Sequence, residues 1–362
     1  MKARKPCFAL FFGNRGFFPA SLMESARKEL PAALRTLGYD SFLLNAEATR
    51  HGAVETPAEG RVFNNFLETR KGKFDGIILS LPNFGDENGA VAALKDAGVP
   101  IFIQAYPDDL DKMAPDKRRD SFCGKFSIMD VFSQYGIPFT AMKPHTVRPD
   151  SAAFAENISS FAKTCAVVHA MKDMVVGSIG ARTTPFKTVR IDELALQKYG
   201  ITVETYDLAS VIAQIRQVKE SGGLYKDKLQ ALRDYADWKQ VPEEALKNLA
   251  RLSAVLTSMA EENAFDAISL RCWMELQQEL GISPCVVLSE LNNTGFAGAC
   301  EVDTGSAIVM HALSAASAKP SACLDWNNNY GDDENKCVLF HCGPVPQSMM
   351  KEKGRVVDHE ML

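Results

Sequence analysis

Gly76-Ile77-Ile78-Leu79-Ser80-Leu81 runs directly into Pro82-Asn83-Phe84-Gly85-Asp86-Glu87. A short apolar run without polar alternation fits a strand buried on both faces, and the Pro, Gly and Asp behind it supply a turn and a helix cap. The same unit recurs on both sides. Phe8–Phe12, Ser41–Leu44, Val99–Ala105 and Ile137–Met142 are further strand candidates, with helical stretches between them at 20–37, 60–70, 87–97 and 121–135. Such alternation predicts a five-stranded doubly wound sheet.

A longer helix from Asp150 to about Met171 carries Phe154, Ile158, Phe161, Cys165 and Val168 at helical spacing and leads into a second unit. Strands are expected there at Val175–Gly180, Thr202–Tyr206, Ala267–Leu270, Cys285–Leu288, Ala322–Leu324 and Cys337–Phe340. Helices are expected at 190–199, 207–220, 225–237, 242–262 and 303–316. The fold class is therefore α/β, with two consecutive doubly wound (Rossmann-like or flavodoxin-like) parallel-sheet domains at 1–171 and 172–350 and a charged tail at 351–362.

Composition narrows the function. At 362 residues the length gives a prior of two to three domains. A net charge of -5, from 40 basic and 45 acidic residues without a basic block, points away from nucleic acid and anionic membranes and toward small-molecule chemistry. Nine cysteines without a C-x-x-C pair read as reduced thiols of a cytoplasmic protein. The apolar run after Met-Lys-Ala-Arg-Lys is too short for a signal peptide and reads as the first buried strand. No later run approaches the roughly 20 residues that cross a bilayer.

Ligands of doubly wound sheets sit beyond the carboxyl ends of strands. Gly177-Ser-Ile-Gly180-Ala-Arg182 matches a nucleotide loop only loosely, because no third glycine and no later acidic residue complete it. Arg182 is equally a ligand contact or a surface ion-pair partner. Stronger chemistry lies at Cys300-Glu301-Val302-Asp303, at Asp325-Trp326 and at His341-Cys342, each behind an expected strand. Alone, the carboxylates read as helix caps or turn formers and the histidine as a core residue. Together, adjacent strand ends would gather Glu301, Asp325 and His341 into a site suited to Mn2+ or Mg2+, and less selectively Co2+. Such a site supports aldose–ketose isomerisation through an enediol, and equally metal-assisted hydrolysis or aldol cleavage.

The chain also resembles the L-fucose isomerase and L-arabinose isomerase family, in particular its shorter members. The resemblance is carried by Phe74-Asp75-Gly76 with Asn83 to Glu87; by Cys123-Gly124-Lys125 with Gln134 to Pro138; by Gly180-Ala-Arg182 with Phe186 and Tyr199-Gly200; and by Ala299 to Asp303 and Leu339 to Cys342. It implies a metal-dependent aldose–ketose isomerase acting on a pentose, a deoxyhexose or a modified hexose. Glu301 and Asp325, 24 positions apart, are similar to the family's metal-binding acid/base pair, and His341 to a further metal-site histidine. Arg15, Glu275 and Trp326 become candidate substrate contacts, and a homo-oligomer, trimer or hexamer, is implied. Family members continue into a third, β-rich domain that brings another metal-binding histidine; here the sequence ends at Leu362, and His359 in the charged tail is not expected to replace it. The rival expectation is a non-catalytic sugar-binding or regulatory relative that lacks the C-terminal catalytic domain.

Overall fold

The computed structural model describes residues 5–341 and 343–358, so Cys342 and His359 lie outside the described residues. The chain divides into two compact units between His169 and Ala170. The first runs β1 (Cys7–Phe12), α1 (Ala20–Thr36), β2 (Asp40–Leu43), α2 (Pro57–Glu68), β3 (Gly76–Leu81), α3 (Glu87–Leu94), β4 (Ile101–Ala105), α4 (Ser121–Gln134), α5 (Ala152–Met171). Its strands are all parallel in the order β2-β1-β3-β4. Every residue of β1 and β3 is buried, as a sheet with helices on both faces requires. Alternation along β1 divides the core: Ala9 and Phe11 pack with Phe63, Leu79 and Phe132, whereas Phe8, Leu10 and Phe12 pack with Met23, Phe102 and Phe161.

Ile137–Met142 does not form the expected fifth strand. Thr140 alone bridges to Phe102, donating to Ile101 O at 2.7 Å and accepting from Ile103 N at 3.1 Å. Pro138 lacks an N–H and cannot extend a ladder on that side.

The second unit contains β5 (Val175–Ile179), α6 (Glu193–Gln197), β6 (Thr202–Tyr206), α7 (Leu208–Gln217), α8 (Gly223–Tyr235), α9 (Glu243–Glu262), β7 (Ala267–Leu270), α10 (Glu275–Leu280), α11 (Cys285–Asn293), β8 (Ala297–Ala299), α12 (Thr304–Ser317), β9 (Asp325–Asn329) and β10 (Cys337–Phe340). Its parallel sheet, β6-β5-β7-β8, repeats the strand order of the first unit. Two parallel-sheet α/β regions are thus present, and in each the order reverses between the first and third strands, the kind of position at which doubly wound sheets bind ligands.

Three elements of this unit differ from expectation. Cys285–Leu288 opens a helix rather than a strand: Pro284 precedes it, and Val287, Leu288 and Leu291 form a buried helical face. The fourth strand is instead the three-residue Ala-Gly-Ala of β8. Finally, 322–324 is not a strand, and β9 and β10 form a separate antiparallel hairpin with every residue exposed.

Candidate functional site

A cavity of about 390 Å³ in the second unit is lined by Glu301, Asp325 and His341, together with Cys300, Asp303, Ser306 and Cys323. These side chains do not meet because three neighbouring strands end together. Glu301 follows β8, whereas the hairpin register pairs Phe340 with Asp325 and so sets His341 beside the carboxylate that opens β9. The His341 ring then fastens the hairpin base to the sheet, with Nδ1 2.9 Å from Cys323 O and Nε2 3.3 Å from Cys300 Sγ.

Glu301 and Val302 both have positive φ, 62° and 57°. For non-glycine residues, one of them β-branched, this conformation costs about 1–2 kcal/mol each. Two backbone bonds hold it: Val302 N donates to Leu270 O of β7 (3.3 Å), and within the turn Asp303 N donates to Cys300 O (2.9 Å). Asp303 is the N-cap of α12, accepting from Ser306 N at 2.9 Å and Ser306 Oγ at 2.6 Å. It shapes the cavity while acting as the cap its position suggested.

Burial raises the Glu301 carboxyl above the usual glutamate range; Asp325 and Asp303 add to this, and His341 opposes it. The His341 imidazole is pushed up to about 9. Hydrogen bonding to the Cys323 side chain comes first, burial works against it, and the Cys323 carbonyl, Asp325 and Glu301 support it. At neutral pH the pocket therefore holds a cation between two carboxyl groups.

The remaining candidates sit elsewhere. Arg15, in the first unit, is committed within it: Nη2 lies 2.6 Å from Glu87, Nε donates to Gly85 O at 2.8 Å, and the guanidinium stands 4.2 Å from the Phe84 ring centre. Glu275 opens α10 and receives Arg271 Nε at 2.6 Å. Partial burial raises its carboxyl, but the Arg271 hydrogen bond, a backbone N–H and the Arg271 charge together outweigh this and hold it low. Trp326 is 86% exposed on the hairpin and is not among the cavity residues, although it adjoins Asp325. Arg182 bonds the carbonyls of Thr183, Thr184 and Phe186 and so closes its own loop. The glycines before it are structural as well. Gly177 lies inside β5, where a Cβ would come within 2.6 Å of the Phe265 ring, and Gly180 has φ +89°.

Sequence reasoning singled out neither Cys272 nor the group that holds the hairpin exit. Cys272, two residues beyond β7, meets Cys300 and Glu301, with donor atoms of all three within 4.8 Å of one another. The Cys300 hydrogen bond lowers the Cys272 thiol against the effect of burial, and that bond together with burial raises the Cys300 thiol. The other group positions the hairpin exit. Buried Asn292 donates to Gly298 O (3.0 Å) and Pro344 O (2.9 Å) and accepts from Gly298 N (2.6 Å). Ser289 donates to Val345 O at 2.5 Å. Strand ends carrying cysteine were the available signal for the first group, but the short β8 concealed one of them.

The donor geometry also tests the expected hard metal. Among the described residues, the three-donor group within 4.8 Å is Cys272, Cys300 and Glu301, not Glu301, Asp325 and His341. Buried thiols at 4% exposure are soft donors, whereas Mn2+ and Mg2+ take oxygen. This arrangement does not fit a hard ion.

Residues 9–172 match the family model described as Fucose/sulfoquinovose isomerase, N-terminal domain. The first unit is homologous to that domain. Sulfoquinovose isomerase of Alkalicoccus urumqiensis is 24% identical over 79% of this chain and 63% of that protein, and the one from Priestia aryabhattai is 22% identical over 78% and 63%. The chain spans less than two thirds of the length of these relatives. A solved glucose-galactose binding protein from Geobacillus stearothermophilus aligns over 88% of this chain and 94% of its own at 13% identity, with a TM-score of 0.22, too low to bear on the fold.

Proposed function

We propose that the second-unit cavity is a sugar isomerase site that interconverts an aldose and a ketose through an enediol. The observation that carries this reading is the meeting of two carboxyl groups and a cationic imidazole in one pocket, in a chain similar to sulfoquinovose isomerases on both sides of the unit boundary. Glu301, whose carboxyl burial holds above the usual glutamate range, takes the proton from the carbon next to the carbonyl and returns it to the neighbouring carbon. Asp325 moves the hydroxyl proton between the two oxygens. His341 faces the oxygen on which negative charge develops and stabilises it in a partly desolvated setting. No outside oxidant or reductant is required, because the hydrogen leaves one carbon and enters the next.

The names of the relatives suggest the substrate class, a hexose bearing a sulfonate, with pentoses and deoxyhexoses as the alternatives. Incubation of the chain with sulfoquinovose and a panel of aldopentoses and deoxyhexoses, followed by NMR detection of ketose, tests the reading. Ketose formation supports it. Binding of sugar without conversion, across the panel, would replace it with the non-catalytic alternative.

A further inference from the structure

Cys272 and Cys300 are used by none of the proton transfers above, yet both are buried at 4% exposure beside the cavity. Their Sγ atoms and a Glu301 oxygen lie within 4.8 Å of one another. A tetrahedral zinc-class sphere with metal–sulfur bonds of about 2.3 Å separates two sulfurs by about 3.8 Å. His341 Nε2 is 3.3 Å from Cys300 Sγ. Its other nitrogen, Nδ1, donates to the Cys323 carbonyl at 2.9 Å. His341 is not among the three donors that meet, so it stands beside the Cys300 sulfur, where a ring N–H supports a thiolate.

We propose that Cys272, Cys300 and Glu301 form a binding site for a soft divalent cation of the zinc class. Two sulfurs and one carboxylate oxygen are a donor set that selects zinc over Mn2+ or Mg2+, with the fourth position open to water. The donors come from two places: the residue after β8 and its neighbour, and the segment beyond β7. A bound ion would therefore tie the ends of these two strands together. Binding releases the thiol protons. The site shares Glu301 with the proposed isomerase pocket but does not depend on that activity, since its readout is metal binding.

The full chain is stripped with a chelator, loaded with Zn2+ or Co2+, gel-filtered and assayed for metal, and the Co2+ form is read by absorption spectroscopy. The expected result is one ion per chain, a tetrahedral Co2+ spectrum with thiolate-to-metal charge-transfer bands, and loss of those bands in both Cys272→Ser and Cys300→Ser. Each serine variant is expected to lose more than about 100-fold in affinity, beyond the range of second-shell changes. No retained metal in the wild-type chain, a Co2+ spectrum without thiolate bands, or serine variants that bind as well as wild type would each overturn the site. The wild-type spectrum decides the matter even if a serine variant fails to fold. Mn2+ binding abolished by Asp325→Asn but untouched by the cysteine substitutions would also overturn it, whereas absence of sugar turnover would bear only on the isomerase reading.

Discussion

Lys125 on α4 is 1% exposed, and its ammonium donates to His145 O at 2.9 Å. Burial lowers its pKa from 10.5 to about 8. At about 1.36 kcal/mol per unit, this difference corresponds to about 3 kcal/mol between the two protonation states. The sign follows from linkage: between about pH 8 and 10.5 the unfolded chain binds the proton and the folded chain does not, so stability rises with pH across that window. Below it both states are charged and the burial penalty is constant. The perturbation is Lys125→Met, which keeps the volume and removes the charge. Because all three tryptophans, Trp238, Trp273 and Trp326, lie in the second unit, the first unit is followed by pulse proteolysis across urea, with its fragments identified by mass. The stability of wild type minus that of Lys125→Met should climb by about 3 kcal/mol from pH 8 to 10.5. A difference that stays flat would show that burial does not penalise the Lys125 charge, because other groups titrating in this range cancel between the two proteins.

Asn292→Ala removes two donors and an acceptor from a buried cluster; unfolding of the second unit should be easier by about 2–4 kcal/mol, with faster amide exchange at 343–348, and unchanged exchange there would count against its role in holding the hairpin exit. Gly124→Ala would set a Cβ 1.9 Å from Phe84 O. Since that neighbour is backbone, the variant should lose at least about 1–3 kcal/mol in urea unfolding of the first unit, and wild-type stability would show that α4 can shift freely. Glu301→Gln should reduce kcat by about 10²–10⁴-fold while circular dichroism stays unchanged; near-normal turnover would remove Glu301 from the chemistry.

The strands of both sheets were legible where an apolar run is framed by turn residues, as at Gly76–Leu81 and Ala267–Leu270. Two failures have physical causes. Cys-Val-Val-Leu at 285–288 is too short for periodicity to separate strand from helix, and the helix became evident only from the buried Leu291 one turn later. Ala-Gly-Ala at 297–299 has little hydrophobic or β-branched character, and Asn292, rather than β propensity, secures its middle residue. Glu301, Asp325 and His341 share a cavity, but by a route the sequence did not disclose: an exposed hairpin whose cross-strand register sets Asp325 near His341. Cys272 and Cys300 were hidden because their proximity arises from adjacent strand ends, without any fixed spacing in the chain.

In the proposed reaction Glu301 carries a proton between adjacent carbons of a sugar. Turnover of sulfoquinovose in D2O, with NMR of the ketose and of recovered aldose, tests it most directly. Wild type is expected to convert the sugar with solvent deuterium entering at the carbon next to the carbonyl, in proportion to how far the Glu301 proton exchanges between the two transfers, and Glu301→Gln is expected to show neither conversion nor uptake above background. Equal conversion and uptake by Glu301→Gln would take the proton transfer away from Glu301.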